Sequence, residues 1–212
     1  SGQPDEQLIE RLVKAGIPLV VAGRPFHPDN LSYIDVDNID AAYNAVSHLI
    51  RLGYKRIGTI AGPATSTVGL DRLEGYRRAL ADRGRVVQDA FIVEADFTEA
   101  GGYYAMRQLL AARPDAIFAA SDIMAIGAMR AVREAGLSIP ENIAFIGFDD
   151  LPFAKLANPQ LSTIRQPIVQ FGSKAVEILI DLIENGTQPP RRVIMPTELV
   201  IRGSCGASHT DE

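Results

Sequence analysis

The 212-residue chain predicts an α/β fold of two lobes, built on doubly wound parallel sheets, with the first lobe incomplete. Three observations carry that expectation. Short apolar runs alternate with longer amphipathic ones from end to end, the rhythm of βα units feeding a mostly parallel sheet. Hydrophobic residues make up 47% of the chain and charged ones 22%, which supports a sizeable buried core and argues against a disordered polypeptide. The beat breaks after PFAKLANPQLSTIRQP, where one long helix has no four-unit lobe of its own to join.

In chain order, DEQLIERLVKAG is an amphipathic helix, and IPLVVAG is a strand introduced by Pro18 and stopped by the turn-rich GRPFHPDN. LSYIDV is a second short strand. IDAAYNAVSHLIRLG sets Ala42, Val46, Leu49 and Ile50 on one helical face, with Gly53 as its C-cap, and the strand KRIGTIAG follows. The beat repeats as helix 70–84 with strand 90–95, helix 98–112 with strand 115–120, and helix 122–136 with strand 143–148. QPIVQFGSKAVEILIDLIENG is one long helix, RRVIMPTELVIRG a strand pair or one bent strand, and SCGASHTDE a frayed tail.

These readings assign 1–36 to part of lobe one and 37–164 to a complete lobe two. Residues 165–193 return to lobe one, 194–203 return to lobe two, and 204–212 form a flexible tail. A lobe of about 60 residues with two helices and two strands leaves a sheet face under-covered, so a missing N-terminal portion is expected.

The net charge of −5 and the absence of a clustered basic stretch argue against a DNA-binding surface. Arg77-Arg78 and Arg191-Arg192 read as solvated faces. The single cysteine, Cys205, excludes an intrachain disulfide and reads as an inert tail thiol. No run approaches a membrane span of about 18 apolar residues, and SGQPDEQ lacks the features of a secretory signal. Ser1-Gly2 carries no structural weight.

His27, His48 and His209 show no metal-ligand spacing, and His48 reads as a partly exposed surface histidine. No metal and no cofactor are expected. GPATSTVG superficially resembles a phosphate cradle but lacks the GK[ST] ending, and no G-x-G-x-x-G opens a helix. No G-x-S-x-G elbow or Ser/His/Asp arrangement supplies a nucleophile. Asp122 and Asp149 alone are a poor acid/base pair for sugar chemistry, so the chain does not read as an enzyme.

In open α/β sheets, ligands bind beyond the carboxyl ends of the strands. Those ends carry Arg72 at the opening of one helix, Asp96-Phe97, Ser121-Asp122 and Asp149-Asp150. A guanidinium fork, an aromatic plate and hydroxyl or carboxylate groups suit a polyhydroxylated ligand. Each also has a plainer reading. Ser121 or Asp122 caps the next helix, Asp149-Asp150 forms a turn, Arg72 pairs with Asp71 or Glu74, and Phe97 belongs to the core. Convergence on one sheet edge favours the ligand reading.

The stretches YIDVDNIDAAYNAVSHLIRLGYKRIGTIAGP, DRLEGYRRAL, AIFAASDIMAIGAMRAVREAGLSIPENIAFIGFDD and NPQLSTIRQP, in this order, resemble the effector-binding core of the lactose-repressor family of transcriptional regulators. The resemblance implies a two-lobed periplasmic-binding-protein-like fold, a homodimer in the cytoplasm, and a small effector, a sugar in the first instance, held between lobes. It implies operator DNA as a partner only through an N-terminal helix-turn-helix headpiece that this chain lacks. By matching position, Arg72 grips the effector, Phe97 stacks on it, and Ser121, Asp122 and Asp149 hydrogen-bond to it. Arg24 and Gln166 are carried over as further contacts, and Ile126 and Met129 as residues that meet a second subunit. Sugar-binding proteins of transport systems share the fold and form the alternative reading.

Overall fold

The computed structural model describes residues 6–207; the readings of Ser1-Gly2, of His209 and of the last five residues lie outside the described residues. Elements follow in the order α1 Glu6–Lys14, β1 Val20–Ala22, β2 Ser32–Val36, α2 Asn38–Arg51, β3 Ile57–Ala61, α3 Thr67–Ala81, β4 Ile92–Glu94 and α4 Glu99–Leu109. Then come β5 Ala116–Ala119, α5 Asp122–Glu134, β6 Ala144–Asp149, β7 Ser162–Arg165, α6 Ile168–Asn185, β8 Arg192–Met195 and β9 Glu198–Val200. Contacts divide the chain into two compact units. The first holds the chain up to Asp37 and Gln166–Thr197, and the second holds Asn38–Arg165 and the chain from Glu198.

In the first unit β2 lies between β1 and β8, parallel to both. Val21, Leu31 and Tyr33 form one buried apolar cluster there, with Ile9 of α1 and Leu19 packed against it. The α6 helix buries Ile178 and Leu182 but leaves Val169, Val176, Ile180 and Ile183 exposed. RRVIMPTELVIRG forms two strands rather than one bent strand, and the two do not pair with each other. Its first half, β8, pairs with β2, and its second half, β9, joins the other sheet, so Ile194 and Met195 belong with the first unit rather than with a return starting at 194.

The second unit is a six-stranded sheet in the order β4-β3-β5-β6-β7-β9, parallel except for β9, which runs antiparallel to β7. The β3 and β5 strands are buried along their whole length, which is why they read as apolar runs rather than alternating ones. Strand β7 lies in a stretch that the periodicity reads as a connection. It is four residues long, and its first two are Ser162 and Thr163, both fully buried, so neither length nor hydrophobicity marks it.

Helices α3, α4 and α5 each open behind a hydroxyl cap, with Ser66, Thr98 and Ser121 accepting from the amides of Gly69, Gly101 and Met124. Gly53 closes α2 at φ 96°, a conformation that disfavours any side chain. The core of this unit gathers Ile60, Met106, Leu109, Ile117, Met124, Met129, Val132 and Phe145. Each large apolar side chain removed from water there contributes about 1.5–3 kcal/mol.

Two readings of single residues are corrected. Cys205 is not in a tail: it is fully buried in a short 3-10 turn, Gly203–Cys205. Neighbouring Ser204 donates to the Phe145 carbonyl at 2.8 Å and accepts from the Ser162 amide at 2.8 Å, while the Tyr54 hydroxyl donates to the Cys205 carbonyl at 3.1 Å. His48 is buried as well, with Nε2 3.8 Å from the Cys205 Sγ. Burial lowers its pKa, and the Arg51 charge adds to that.

Candidate functional site

Because β3 to β7 run parallel, their carboxyl ends open on one edge of the second unit's sheet, and the motif residues interlock there. Arg72 is 4% exposed. Its Nε donates to the Asn38 side-chain carbonyl at 2.9 Å, and its Nη1 donates to the Ala120 carbonyl at 2.6 Å. The same Nη1 lies 3.5 Å from the Asp149 carboxylate, and the guanidinium carbon sits 3.5 Å from the centre of the Phe148 ring. Arg72 is thus braced from the start of α2, the end of β5 and the end of β6.

Asp149 and Asp150 both take positive φ, 122° and 57°. Left-handed backbone at two consecutive non-glycine residues costs of order 1–3 kcal/mol each and persists only where the surroundings impose it. Asp150 accepts from Arg165 Nε at 2.7 Å and Arg202 Nη2 at 2.6 Å. Although burial opposes it, those two guanidiniums hold the Asp150 carboxyl below its ordinary range. Arg165 also bonds Glu198 at 2.8 Å, joining β7 to β9 at their paired ends.

Ser121 is buried and caps α5. Asp122 corrects the expectation of a ligand hydrogen bond. It has no exposed surface, its Oδ1 accepts from the Thr163 hydroxyl at 2.6 Å, and its Oδ2 accepts from the Leu151 amide at 2.9 Å. Burial pushes its carboxyl up to about 7 against the pull of those two bonds, and the charges of Asp149 and Asp150 push the same way.

Phe97 has φ 61° and lays its ring over Gly62, at the end of β3, where any side chain would strike the ring; it also packs partly against the core. Beside it Asp96 is exposed, and hydrogen bonds from Thr98 hold its carboxyl below the usual range. Arg24 and Gln166 belong to the first unit. The backbone amide of Arg24 donates to Asp35 at 2.8 Å, and Gln166 is half-buried.

The carried-over pair on α5 splits. Ile126 is partly buried, whereas Met129 is fully buried in the core. Met129 is thus turned away from the surface, whereas Ile123 on the same helix is 37% exposed. Among the described residues no group of three or more His, Cys, Asp or Glu could hold a metal ion.

Asn38, Phe148, Thr163, Arg165 and Arg202 complete the edge and are not singled out by the sequence. The signal for two of them was the L-S-T-I-R-Q-P motif itself, whose threonine and arginine contact Asp122 and Asp150.

The sequence profile of the periplasmic binding protein-like domain matches residues 46–205. The chain belongs to that family. This periplasmic binding protein-like chain is 39% identical over 204 residues to the HTH-type transcriptional regulator CelR of Thermobifida fusca, covering 94% of its own length and 60% of CelR. It is 38% identical over 194 residues to the HTH-type transcriptional repressor CytR of Escherichia coli strain K12, covering 90% of its own length and 57% of CytR.

Among solved structures, the transcriptional regulator CelR in complex with cellobiose matches with a TM-score of 0.92 at 39% identity, over 96% of this chain and 64% of that one. A LacI-family regulatory protein of Chloroflexus aggregans matches with a TM-score of 0.88 at 35% identity, over 96% and 74%. These relatives are transcriptional regulators of the lactose-repressor type, the family that the motif series resembles. The chain spans 60% and 57% of the two relatives matched by sequence.

Proposed function

We propose that the chain is the ligand-sensing part of a DNA-binding transcriptional regulator, and that its ligand is a sugar bound at the carboxyl edge of the six-stranded sheet. The observation that carries this reading is the Arg72–Asp149 pair. A guanidinium fork is braced by Asn38, Ala120 and Phe148 and stands beside a carboxylate, a donor set next to an acceptor that suits adjacent hydroxyls. A relative 39% identical to this chain has been solved with cellobiose, which supports the ligand class.

In this reading Arg72 donates to the sugar, Asp149 accepts from it, Phe97 covers an apolar ring face and Ser121 adds a hydroxyl. Arg24 and Gln166 supply contacts from the first unit. The regulator acts as a homodimer in the cytoplasm, with the exposed side of α5 around Ile126 at the subunit contact. Operator DNA is held by a helix-turn-helix headpiece outside this chain, and sugar occupancy changes operator affinity by a differential of about 1–3 kcal/mol. The site binds rather than catalyses, since Asp122 is sealed by its own hydrogen bonds and Asp149 is tied to Arg72.

The test is calorimetric titration of the intact protein with cellobiose, other mono- and disaccharides, and purine nucleosides. Saturable binding of one sugar is expected, weakened about 10- to 100-fold in Arg72→Lys, because an ammonium cannot reproduce the fork. Equal affinity in that variant, or binding of purines alone, would sink the sugar reading of this edge.

A further inference from the structure

The Asp149–Leu151 turn is anchored at three points. Asp149 faces Arg72, Asp150 faces Arg165 and Arg202, and Leu151 donates its amide to Asp122. The first two anchors are ion pairs of arginines, which keep their charge at any physiological pH. The third is a carboxyl group with no exposed surface, seated in a fitted cradle. A side chain at Gly147 would collide with its Oδ1, and Thr163 holds that same oxygen.

The charged groups around this cradle come from every element that meets it. They are Arg72 of α3, Asp149 and Asp150 after β6, Arg165 at the end of β7 and Arg202 beyond β9, while α5 itself contributes Asp122. All three arginines are engaged with Asp149 or Asp150, and Arg165 with Glu198 as well, so an ionised Asp122 adds a further negative charge to the group.

We infer that Asp122 is a positioning residue for the ligand edge: through the Leu151 amide and the Thr163 hydroxyl it holds the left-handed Asp149–Asp150 pair, and with it the place of Arg72, in a manner set by its own protonation. This rests on reading that edge as the ligand site. Two hydrogen-bonding states are available without breaking the cradle. The ionised carboxylate accepts from both Thr163 and Leu151. The neutral acid donates from Oδ1 to the Thr163 hydroxyl, which turns to the Ile164 carbonyl at 3.5 Å, while Oδ2 still accepts from Leu151. Proton loss therefore reverses the Asp122–Thr163 bond and adds a charge next to Asp149 without unfolding the turn. Burial sets this exchange near neutral pH, whereas the Asp150 carboxyl is held below its ordinary range by Arg165 and Arg202.

The experiment is a titration of the 15N-labelled intact chain from about pH 5 to about pH 9, following the amides of Asp149 to Leu151 and the Arg72 Nε–H. These signals should move together with one midpoint close to neutrality and should stay still in Asp122→Asn. Thr163→Val, which keeps the Leu151 bond and removes the one that favours the anion, should move the midpoint up by about half to one pH unit. A well-dispersed spectrum certifies that each variant is folded, and Thr163→Val decides the matter if Asp122→Asn is not. Signals insensitive to pH in the parent, a titration that survives in Asp122→Asn, or a Thr163→Val midpoint that is unchanged or lower would overturn the inference. The titration needs no ligand, so a sugar screen that fails tells against the site reading and leaves this result legible.

Discussion

Arg72 is a buried cation whose desolvation is offset by an ion pair, two hydrogen bonds to fixed carbonyls and an aromatic face. Removing it leaves the Asp149 carboxylate beside a void, which is costlier than the pair itself was stabilising. Arg72→Ala should lower unfolding free energy by about 3–5 kcal/mol in urea denaturation; a change under about 1 kcal/mol would mean that solvent already reaches the guanidinium. Gly147 carries a different demand, since a methyl group there strikes the Asp122 carboxyl and is also close to Leu161. Gly147→Ala should cost about 1–3 kcal/mol by overpacking, read in the same assay. At this scale the sequence names Arg72 and Asp149 but not their supports, because Asn38, Phe148 and Arg202 are ordinary residue types whose role exists only in the folded geometry.

The helices of the second unit meet through glycine. Gly75 of α3 lies against the Ile39 carbonyl of α2, Gly102 of α4 against the backbone of Met124, and Gly127 of α5 against the Glu99 carbonyl. So the stretch DRLEGYRRAL has Arg72 for the edge, Gly75 for the helix crossing and Tyr76, whose hydroxyl donates to the Ile57 carbonyl at 2.8 Å. Gly127→Ala should push α5 off α4 and lower the melting temperature, with a cost of about 1–3 kcal/mol; an unchanged melting curve would show that the two helices slide freely. The 3-10 turn after β9 is held as firmly. Ser204→Ala should cost about 1–3 kcal/mol, since it leaves the buried Phe145 carbonyl and Ser162 amide without that hydroxyl. The periodicity locates α2 to α6 within a few residues of their ends, yet it passes over β7 and misplaces Cys205. Both lapses have one cause: short segments whose burial is arranged by hydrogen bonds carry no hydrophobic period.

For the whole molecule, pH acts through groups pulled in opposite directions. Asp122 has its pKa raised in the fold, so the native state holds a proton that the unfolded chain releases, and stability falls as pH rises from about 4 to about 7. Its share of that fall is about 4 kcal/mol at most. Asp150, Asp96 and Asp181 are lowered, so the stability they bring is present above their ordinary pKa and lost as acid protonates them in the fold. Stability should therefore be highest at about pH 4, where the gain from the lowered carboxyls is nearly complete and the Asp122 decline begins. Asp122→Asn should flatten the decline toward pH 7 and move the peak upward, measured as melting temperature against pH. An identical profile in the variant would assign the decline to another group.

By itself the sequence determined the βα succession, the carboxyl-edge location of the polar motifs and the family they resemble, because these follow from local periodicity and from residue order. Only the tertiary structure decided that Asp122 turns inward, that Met129 lies in the core, that Cys205 and His48 are buried together, and that Arg72 is a braced cation. Those outcomes depend on pairs far apart in the chain, such as Asp122 with Thr163 and Asp150 with Arg202. Which of two plausible hydrogen-bond partners a polar side chain meets is settled by packing, and packing is not written in any local pattern.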